Sequence, residues 1–195
     1  MSQVHAVDPA EPAIESVYNG KLAMWLFLCS EVMFFSGLLG AYITLRTGDP
    51  TRFEESQKLL HLHVHLAAFN TVLLITSSLT MAFAVLRGQQ GDRAKQRLFL
   101  VLTALMGILF LGLKMVEYSH HFHENEYPRK DIFFAFYYTL TALHGFHILC
   151  GVIPILGLAH FSKTRDVSHE TEMVGLYWHF VDLVWIFLFP LLYLI

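Results

Sequence analysis

Apolar residues in this chain are gathered into five long runs, separated by short polar segments. Each run holds about 20 residues or more, which lets a helix cross a hydrocarbon core of roughly 30 Å at 1.5 Å per residue. No run alternates apolar and polar residues with a period of two, so the strands of a membrane β-barrel do not fit. The pattern predicts an all-α bundle of five transmembrane helices, at about 22–45, 60–86, 95–118, 132–161 and 172–195.

The segment before the first run differs in character. Residues 1–20 contain Pro9, Pro12 and Gly20, which predicts a disordered or weakly ordered tail ahead of a single membrane domain over 21–195. The first run is not typical of a cleaved signal peptide, because Glu31 lies within it and the residues before it are acidic. The loops are at most about a dozen residues long, too short for a separate soluble domain. No internal repeat of the transporter kind is present.

Basic residues in the loops set the expected orientation. The second loop carries Arg87, Arg93, Lys95 and Arg97, and such clusters stay on the cytoplasmic side. With five spans, this predicts an N-terminus inside and a C-terminus outside.

Composition narrows the class further. Of the 195 residues 55% are apolar and 15% charged, against roughly a quarter charged in soluble domains, and the net charge is −3. A disordered chain, a nucleic-acid binder and a disulfide scaffold are all excluded. Cys29 and Cys150 lie inside apolar runs and are interpreted as small core residues.

A charged residue inside a membrane costs about 2.5–3.5 kcal/mol on insertion scales, so each one needs a reason. Glu31 lies about 14 Å into the first helix, near the midplane, where a carboxyl should be protonated or hydrogen-bonded. It is either a buried functional carboxyl linked to protons or a neutral acid bonded to a neighbouring helix. Lys114 and Glu117 stand one turn apart, which predicts a structural pair with a snorkelling lysine.

The fourth and fifth helices hold the remaining candidates for an intramembrane polar network or lipid contact. On the fifth helix a bond between His179 and Asp182 is expected, with a structural role favoured over catalysis. These candidates are His144, His147, Trp178, His179, Asp182 and Trp185.

Twelve histidines raise the question of a metal or a haem. His144 and His147 have chelating spacing, but no carboxylate or cysteine cluster accompanies them, so no metal site is predicted. A haem-binding membrane cytochrome remains a remote alternative, and it would need facing ligands such as His144 and His179. The other clusters stand at membrane boundaries, where solvated histidines are expected: His61, His63, His65, His120, His121 and His123.

Small residues on three helices predict close helix approach. They are Ser36 and Gly40 on the first helix, Gly107 and Gly112 on the third, and Gly145, Gly151 and Gly157 on the fourth.

Several segments resemble subunit III of the haem–copper respiratory oxidases. The last helix of that subunit is similar to LYWHFVDLVWIFLFPLLYLI, and the preceding helix is similar to FYYTLTALHGFHILCGV. The helix that carries the family's carbodiimide-reactive glutamate resembles WLFLCSEVMFFSGLLGAY, which places that glutamate at Glu31. GLKMVEY and NTVLLITSS also fit in order, so the resemblance extends from about Lys21 to the end. The longer members have seven helices, and this chain corresponds to the five-helix bacterial form.

The resemblance implies an accessory subunit without a cofactor of its own, in a multi-pass arrangement in the bacterial cytoplasmic membrane. It implies packing on the catalytic subunit I and other oxidase subunits, in a complex that could join a respiratory supercomplex. Haem a, haem a3 and copper centres are expected in the partner subunits, with phospholipid bound to this chain. The leading hypothesis is an aa3-type cytochrome c oxidase. The alternatives are a bo-type quinol oxidase and the related protein of nitric oxide reductase.

Overall fold

The structure is a computed structural model that describes residues 11–50, 53, 64–123 and 132–194. It contains five long helices, which confirms the predicted fold class, and the described residues include no strand. All five helices are long and apolar enough to span a membrane. The helices are α1 (Glu11–Gly48), α2 (Val64–Gln89), α3 (Arg93–His123), α4 (Ile132–Phe161) and α5 (Ser168–Tyr193).

Several helices are longer than the apolar runs that predict them. α1 begins at Glu11, so residues 11–20, assigned to the tail on sequence grounds, are helical. Pro12 permits this because proline is tolerated in the first helical turn, where no backbone donor is needed. α5 likewise begins at Ser168, four residues before the predicted start. Residues 1–10 and the predicted helical residues 60–63 lie outside the described part of the chain.

Helices α2 to α5 form a closed ring, and α1 stands outside it. α2 packs on α3, α3 on α4, α4 on α5 and α5 back on α2. α1 packs mainly on α5, and its buried side chains among the described residues are Leu28, Phe35 and Tyr42. These residues are seven apart, which makes a narrow seam down one side of the helix. From Asn19 onward, most of the other α1 side chains are exposed.

The turn between α2 and α3 is tight and shows why the second loop is short. Gly91 has a φ of +75°, a left-handed conformation that glycine adopts without steric cost. The next residue, Asp92, accepts a hydrogen bond from the Lys95 backbone N–H at 3.1 Å and caps the start of α3. This bond and the Lys95 side chain, 2.9 Å away, lower the pKa of Asp92.

Trp178 on α5 is the central packing residue of the ring. Its indole is fully buried, and Nε1 donates to Ser77 Oγ on α2 at 3.1 Å. On α3, a Cβ added to Gly107 would lie 2.7 Å from the indole, and on α4 one added to Gly151 would lie 2.8 Å from it. The indole therefore occupies a slot that exists only because both residues are glycine. By contrast, Gly40, Gly112 and Gly157 have nothing within 4 Å of such a Cβ.

Candidate functional site

Glu31 extends from α1 toward α4 and meets His147. Its Oε2 lies 3.1 Å from His147 Nε2, and the two side chains are 19% and 11% exposed. Phe35, one turn further along α1, packs edge-on against the His147 ring at 5.1 Å. The sequence predicts a poorly solvated carboxyl at this position, and it identifies His147 only as one member of a candidate network. The structure brings the two together.

The other nitrogen of His147 decides how many protons the pair holds. Nδ1 lies 2.8 Å from the Leu143 carbonyl oxygen, which can only accept a hydrogen bond, so Nδ1 carries a hydrogen. The contact between Nε2 and Glu31 then needs one more proton between them. Either a carboxyl donates to a neutral imidazole, or an imidazolium donates to a carboxylate. In both cases the pair retains one shared proton inside the membrane span.

An open groove of about 480 Å³ leads to this pair from the side of the bundle. Its walls are apolar residues of α1, α4 and α5, with Glu31 and His147 between them. Tyr177 also lines it and donates its hydroxyl to the His147 backbone carbonyl at 2.9 Å. An apolar reagent or an acyl chain in the membrane could therefore reach Glu31 from the lipid side.

A second polar cluster is sealed inside the ring near the end of α3. Lys114 Nζ donates to Glu117 Oε2 at 2.9 Å and to the Tyr193 hydroxyl at 2.6 Å. The Tyr137 hydroxyl donates to Glu117 Oε1 at 2.6 Å, and Tyr193 donates to the same oxygen. The ammonium also lies 4.7 Å from the centre of the Trp185 ring.

The burial of Lys114 differs from what the sequence predicts for this pair. The pair of Lys114 and Glu117 forms, but the two residues are only 5% and 1% exposed, so the lysine does not snorkel to the membrane surface. The physical reason is that three aromatic rings, the Tyr193 hydroxyl and the Glu117 carboxylate surround the ammonium within the bundle. A buried ion pair that is fully hydrogen-bonded fixes the geometry of the helices that carry it.

The candidates on α5 separate into buried residues and one groove-facing residue. Trp178, Asp182 and Trp185 are buried, so they do not contact lipid. Trp185 Nε1 donates to Thr71 Oγ1 on α2 at 3.0 Å. The expected bond between His179 and Asp182 is wrong. His179 Nδ1 instead contacts a hydroxyl of α2 at 2.6 Å, and its ring lines the groove beside α1.

That hydroxyl belongs to Ser78, whose side chain also lies beside Asp182. Asp182 is 4% exposed, and neither carboxyl oxygen accepts a well-formed hydrogen bond from the described residues. Spacing of three residues puts His179 and Asp182 on one side of the helix, but the closer hydroxyl on α2 determines how the imidazole is oriented.

His144 is fully buried and belongs to the ring interior. Its imidazole stacks on Trp185 at 5.0 Å and packs edge-on against Phe110 at 5.8 Å. Neither ring nitrogen has a hydrogen-bond partner among the described residues. His144 and His179 therefore contact different neighbours. Within the described residues, no group of three His, Cys, Asp or Glu side chains could hold a metal ion.

Of the histidines predicted at the membrane boundaries, the structure describes the side chain of His65. His61 and His63 lie outside the described residues, as do the side chains of His120, His121 and His123. His65 is described, and it is exposed near the start of α2.

Some partners in these clusters carry no sequence signal. Tyr137 and Tyr193 are separated by 56 residues and lie on different helices, yet their hydroxyls are 3.2 Å apart. Gln96 is fully buried at the start of α3 and donates to Thr171 Oγ1 at 3.0 Å. A buried glutamine beside Gly88 could have been suspected only from knowledge of which helix faces meet.

Comparison with known proteins gives the family. The family model described as "Cytochrome c oxidase subunit III" matches residues 13–195. Cytochrome c oxidase subunit 3 of Bacillus sp. (strain PS3) is 34% identical over 95% of this chain and 92% of its own length. The corresponding protein of Corynebacterium diphtheriae is 33% identical over 87% of this chain and 85% of its own. Quinol oxidase subunit 3 of Bacillus spizizenii is 31% identical over 95% and 92%.

The matched region contains all five helices, Glu31 with His147, and the sealed Lys114 cluster. The chain therefore belongs to the cytochrome c oxidase subunit III family: it is a multi-pass membrane protein and subunit III of a haem–copper oxidase that takes its electrons from cytochrome c or from quinol.

Proposed function

We propose that this chain is the accessory subunit III of an aa3-type cytochrome c oxidase in a bacterial cytoplasmic membrane. It packs on the catalytic subunit, binds phospholipid, and supports proton uptake and stability while the complex reduces dioxygen. The observation that carries this proposal is the family match over residues 13–195. Relatives named for cytochrome c oxidase, at 33–34% identity, support the cytochrome c branch.

A quinol oxidase is the second candidate, because a quinol oxidase subunit 3 is 31% identical over the same share of the chain. Purification of the tagged chain from its own membranes distinguishes the two. A partner with a binuclear copper domain and oxidation of reduced cytochrome c are expected for the first candidate. Oxidation of quinol without that domain would replace it by the second. Recovery of the chain only as a homo-oligomer without haem would overturn both.

The proposed orientation places the N-terminus in the cytoplasm. The polar contacts of α1 agree with a parallel pair of α1 and α5. Lys21 binds Glu172 at 2.9 Å near one end, and Tyr42 donates to the Leu191 carbonyl at 3.3 Å near the other. Labelling of a cysteine introduced next to Gly91 tests the orientation, since that turn should react only from the cytoplasmic side.

Glu31 is the proposed functional carboxyl of this accessory subunit, and oxygen reduction by the complex does not depend on it. A hydrophobic carbodiimide needs a protonated acid that it can reach through an apolar phase. The groove gives such a reagent access to Glu31, whereas the Glu117 side chain is fully buried and bound to Lys114. We expect modification at Glu31 and none at Glu117, as read by mass spectrometry of the assembled complex.

The substitution Glu31→Gln keeps the shape and a hydrogen bond to His147, so oxygen reduction by the complex should largely survive. Glu31→Ala should cost more, because it leaves His147 Nε2 without a partner in the apolar groove. Turnover rates and proton-to-electron ratios of both variants are the measurements. Loss of oxygen reduction in Glu31→Gln with assembly intact would refute the accessory role.

A further inference from the structure

A long groove separates α1 from α5 on the side away from Glu31. Two adjoining cavities form it, of about 600 and 220 Å³, and they share lining residues. On α5 the groove extends from Leu176 to Phe187, about 17 Å at 1.5 Å per residue. Its lining is apolar, with Val32 on α1 facing Phe180 and Leu183 on α5.

The polar side chains that line this groove are His179 and Ser36, and Ser36 donates its hydroxyl to the Met33 carbonyl of its own helix. The His179 ring lines the larger cavity of the groove and also a cavity of about 210 Å³ between α2 and α5, and it lies near the middle of the α5 span. Nδ1 is held by Ser78 Oγ at 2.6 Å, while Nε2 makes no hydrogen bond to the described residues. A ring nitrogen left without a partner in an apolar medium costs about 1–3 kcal/mol. This cost favours an occupant that brings a polar group to the depth of His179.

The need for a polar group at the depth of His179 distinguishes a phospholipid from a transmembrane helix as the occupant of the groove. A phospholipid has its polar head at the membrane surface and only hydrocarbon at mid-depth, so it leaves Nε2 unsatisfied. A transmembrane helix can carry a polar side chain at any depth and bond across the interface. The α1 rim also allows close approach, because Ser36 lines the groove and Gly40, one turn further, has nothing within 4 Å of its Cβ position.

We infer that the α1–α5 groove docks a transmembrane helix of a partner chain, and that this helix carries a hydroxyl, carboxamide or carboxyl side chain at the depth of His179. That the partner is another chain of the oxidase rests on the proposed function. The family match gives no contact surface, so the position of this groove is an independent inference from the structure.

The two native cysteines form a matched pair of reporters. Both are exposed in the chain alone, and they lie on different helices, Cys29 on α1 and Cys150 on α4. Cys29 lines the α1–α5 groove, and Cys150 lines the groove that leads to Glu31. Single-cysteine chains (Cys150→Ser and Cys29→Ser) are treated with N-phenylmaleimide, both alone and in the purified complex. We expect assembly to protect Cys29 at least tenfold and to leave Cys150 unchanged.

Two substitutions at His179 test the hydrogen bond itself. His179→Asn keeps a polar group near the Nδ1 position and loses the one that faces the groove. His179→Gln can place its amide nitrogen where Nε2 lies. We expect Asn to weaken retention of the chain by the complex about three- to twentyfold, the range of one hydrogen bond between membrane helices, and Gln to restore most of it. Equal retention of both variants would refute the role of Nε2.

The outcomes are distinguishable from failure of the proposed function. If the chain co-purifies with haem-containing subunits but Cys29 stays reactive, the proposed function stands and the groove inference is overturned. Equal protection of Cys29 and Cys150 would mean general shielding and would also overturn it. Protection of Cys29 in the chain alone, rising with concentration, would make a second copy of this chain the occupant and overturn the partner that we infer. Absence of haem-containing subunits would refute the proposed function.

Discussion

Adding one methyl group at Gly107 should destabilise the bundle, because that methyl would collide with Trp178. The new Cβ would lie 2.7 Å from indole Cη2 and 2.8 Å from Val152 Cγ2, against 3.5–4.0 Å for a normal carbon contact. The indole would have to move by about 1 Å. It cannot do so easily, because Ser77 holds its nitrogen and the backbone at Gly151 closes the other side.

Overpacking of this kind costs about 1–3 kcal/mol. Alanine also gains roughly 0.5–1 kcal/mol over glycine in a helix, so a control must cancel that gain. Gly112→Ala on the same helix provides it, since nothing lies within 4 Å of its new Cβ. We therefore expect Gly107→Ala to be about 1–3 kcal/mol less stable than Gly112→Ala.

The assay is unfolding of the purified chain in mixed micelles, followed by loss of helical circular dichroism. A double variant adds Trp178→Phe, whose smaller ring lacks the colliding atom. If the collision is the cause, Gly107→Ala should cost less in the Trp178→Phe background than in the native one. Equal stability of Gly107→Ala and Gly112→Ala, or strictly additive costs in the double variant, would refute the packing argument.

Three further predictions concern the polar positions. Lys114→Met should cost about 3–5 kcal/mol, because it leaves a buried carboxylate without its cation, and adding Glu117→Gln should recover much of the loss, measured by the same unfolding assay. Gly88→Ala should destabilise the end of the ring, because its Cβ would lie 2.5 Å from Gln96 Nε2; Gly88→Ala with Gln96→Ala should be milder, and equal losses would contradict the contact. The pKa of Asp92 is lowered in the folded chain, so its contribution is present above its ordinary value of 3.8 and lost as the pH falls below it. Asp92→Asn should remove that part of the acid sensitivity of unfolding, and an unchanged pH profile would show that the cap does not matter.

The sequence predicts the helices well because a membrane span needs only a continuous apolar stretch of sufficient length, which can be read directly along the chain. Length and apolarity suffice to locate them, and the five predicted spans coincide with the apolar parts of α1 to α5. Helix ends are predicted less well, since helices continue past the hydrocarbon core. The helical turns from Glu11 to Gly20 are the clearest case.

The polar sites depend on which helix faces meet, and no single-sequence pattern specifies that. Spacing correctly pairs Lys114 with Glu117, because both are on one helix. It fails for His179, whose partner Ser78 is 101 residues away in sequence. The partners of Glu31 and of Tyr193 are likewise on other helices, at separations of 116 and 76 residues.

The position of α1 outside the ring has a consequence for biosynthesis. Synthesis from the N-terminus makes α1 before the other four described helices, yet the main packing partner of α1 among them is α5, which is made after the other four. The Leu28, Phe35 and Tyr42 seam therefore lacks its main packing partner until α5 has been made. Truncation before α5 would leave α1 held only by its contacts with α4, such as Glu31 with His147, and would leave the ring open at the same time. The 26-residue α5 helix thus closes the ring and completes the packing of α1 in one step, and a ribosome stalled before it should leave the α1 seam accessible to an insertion chaperone.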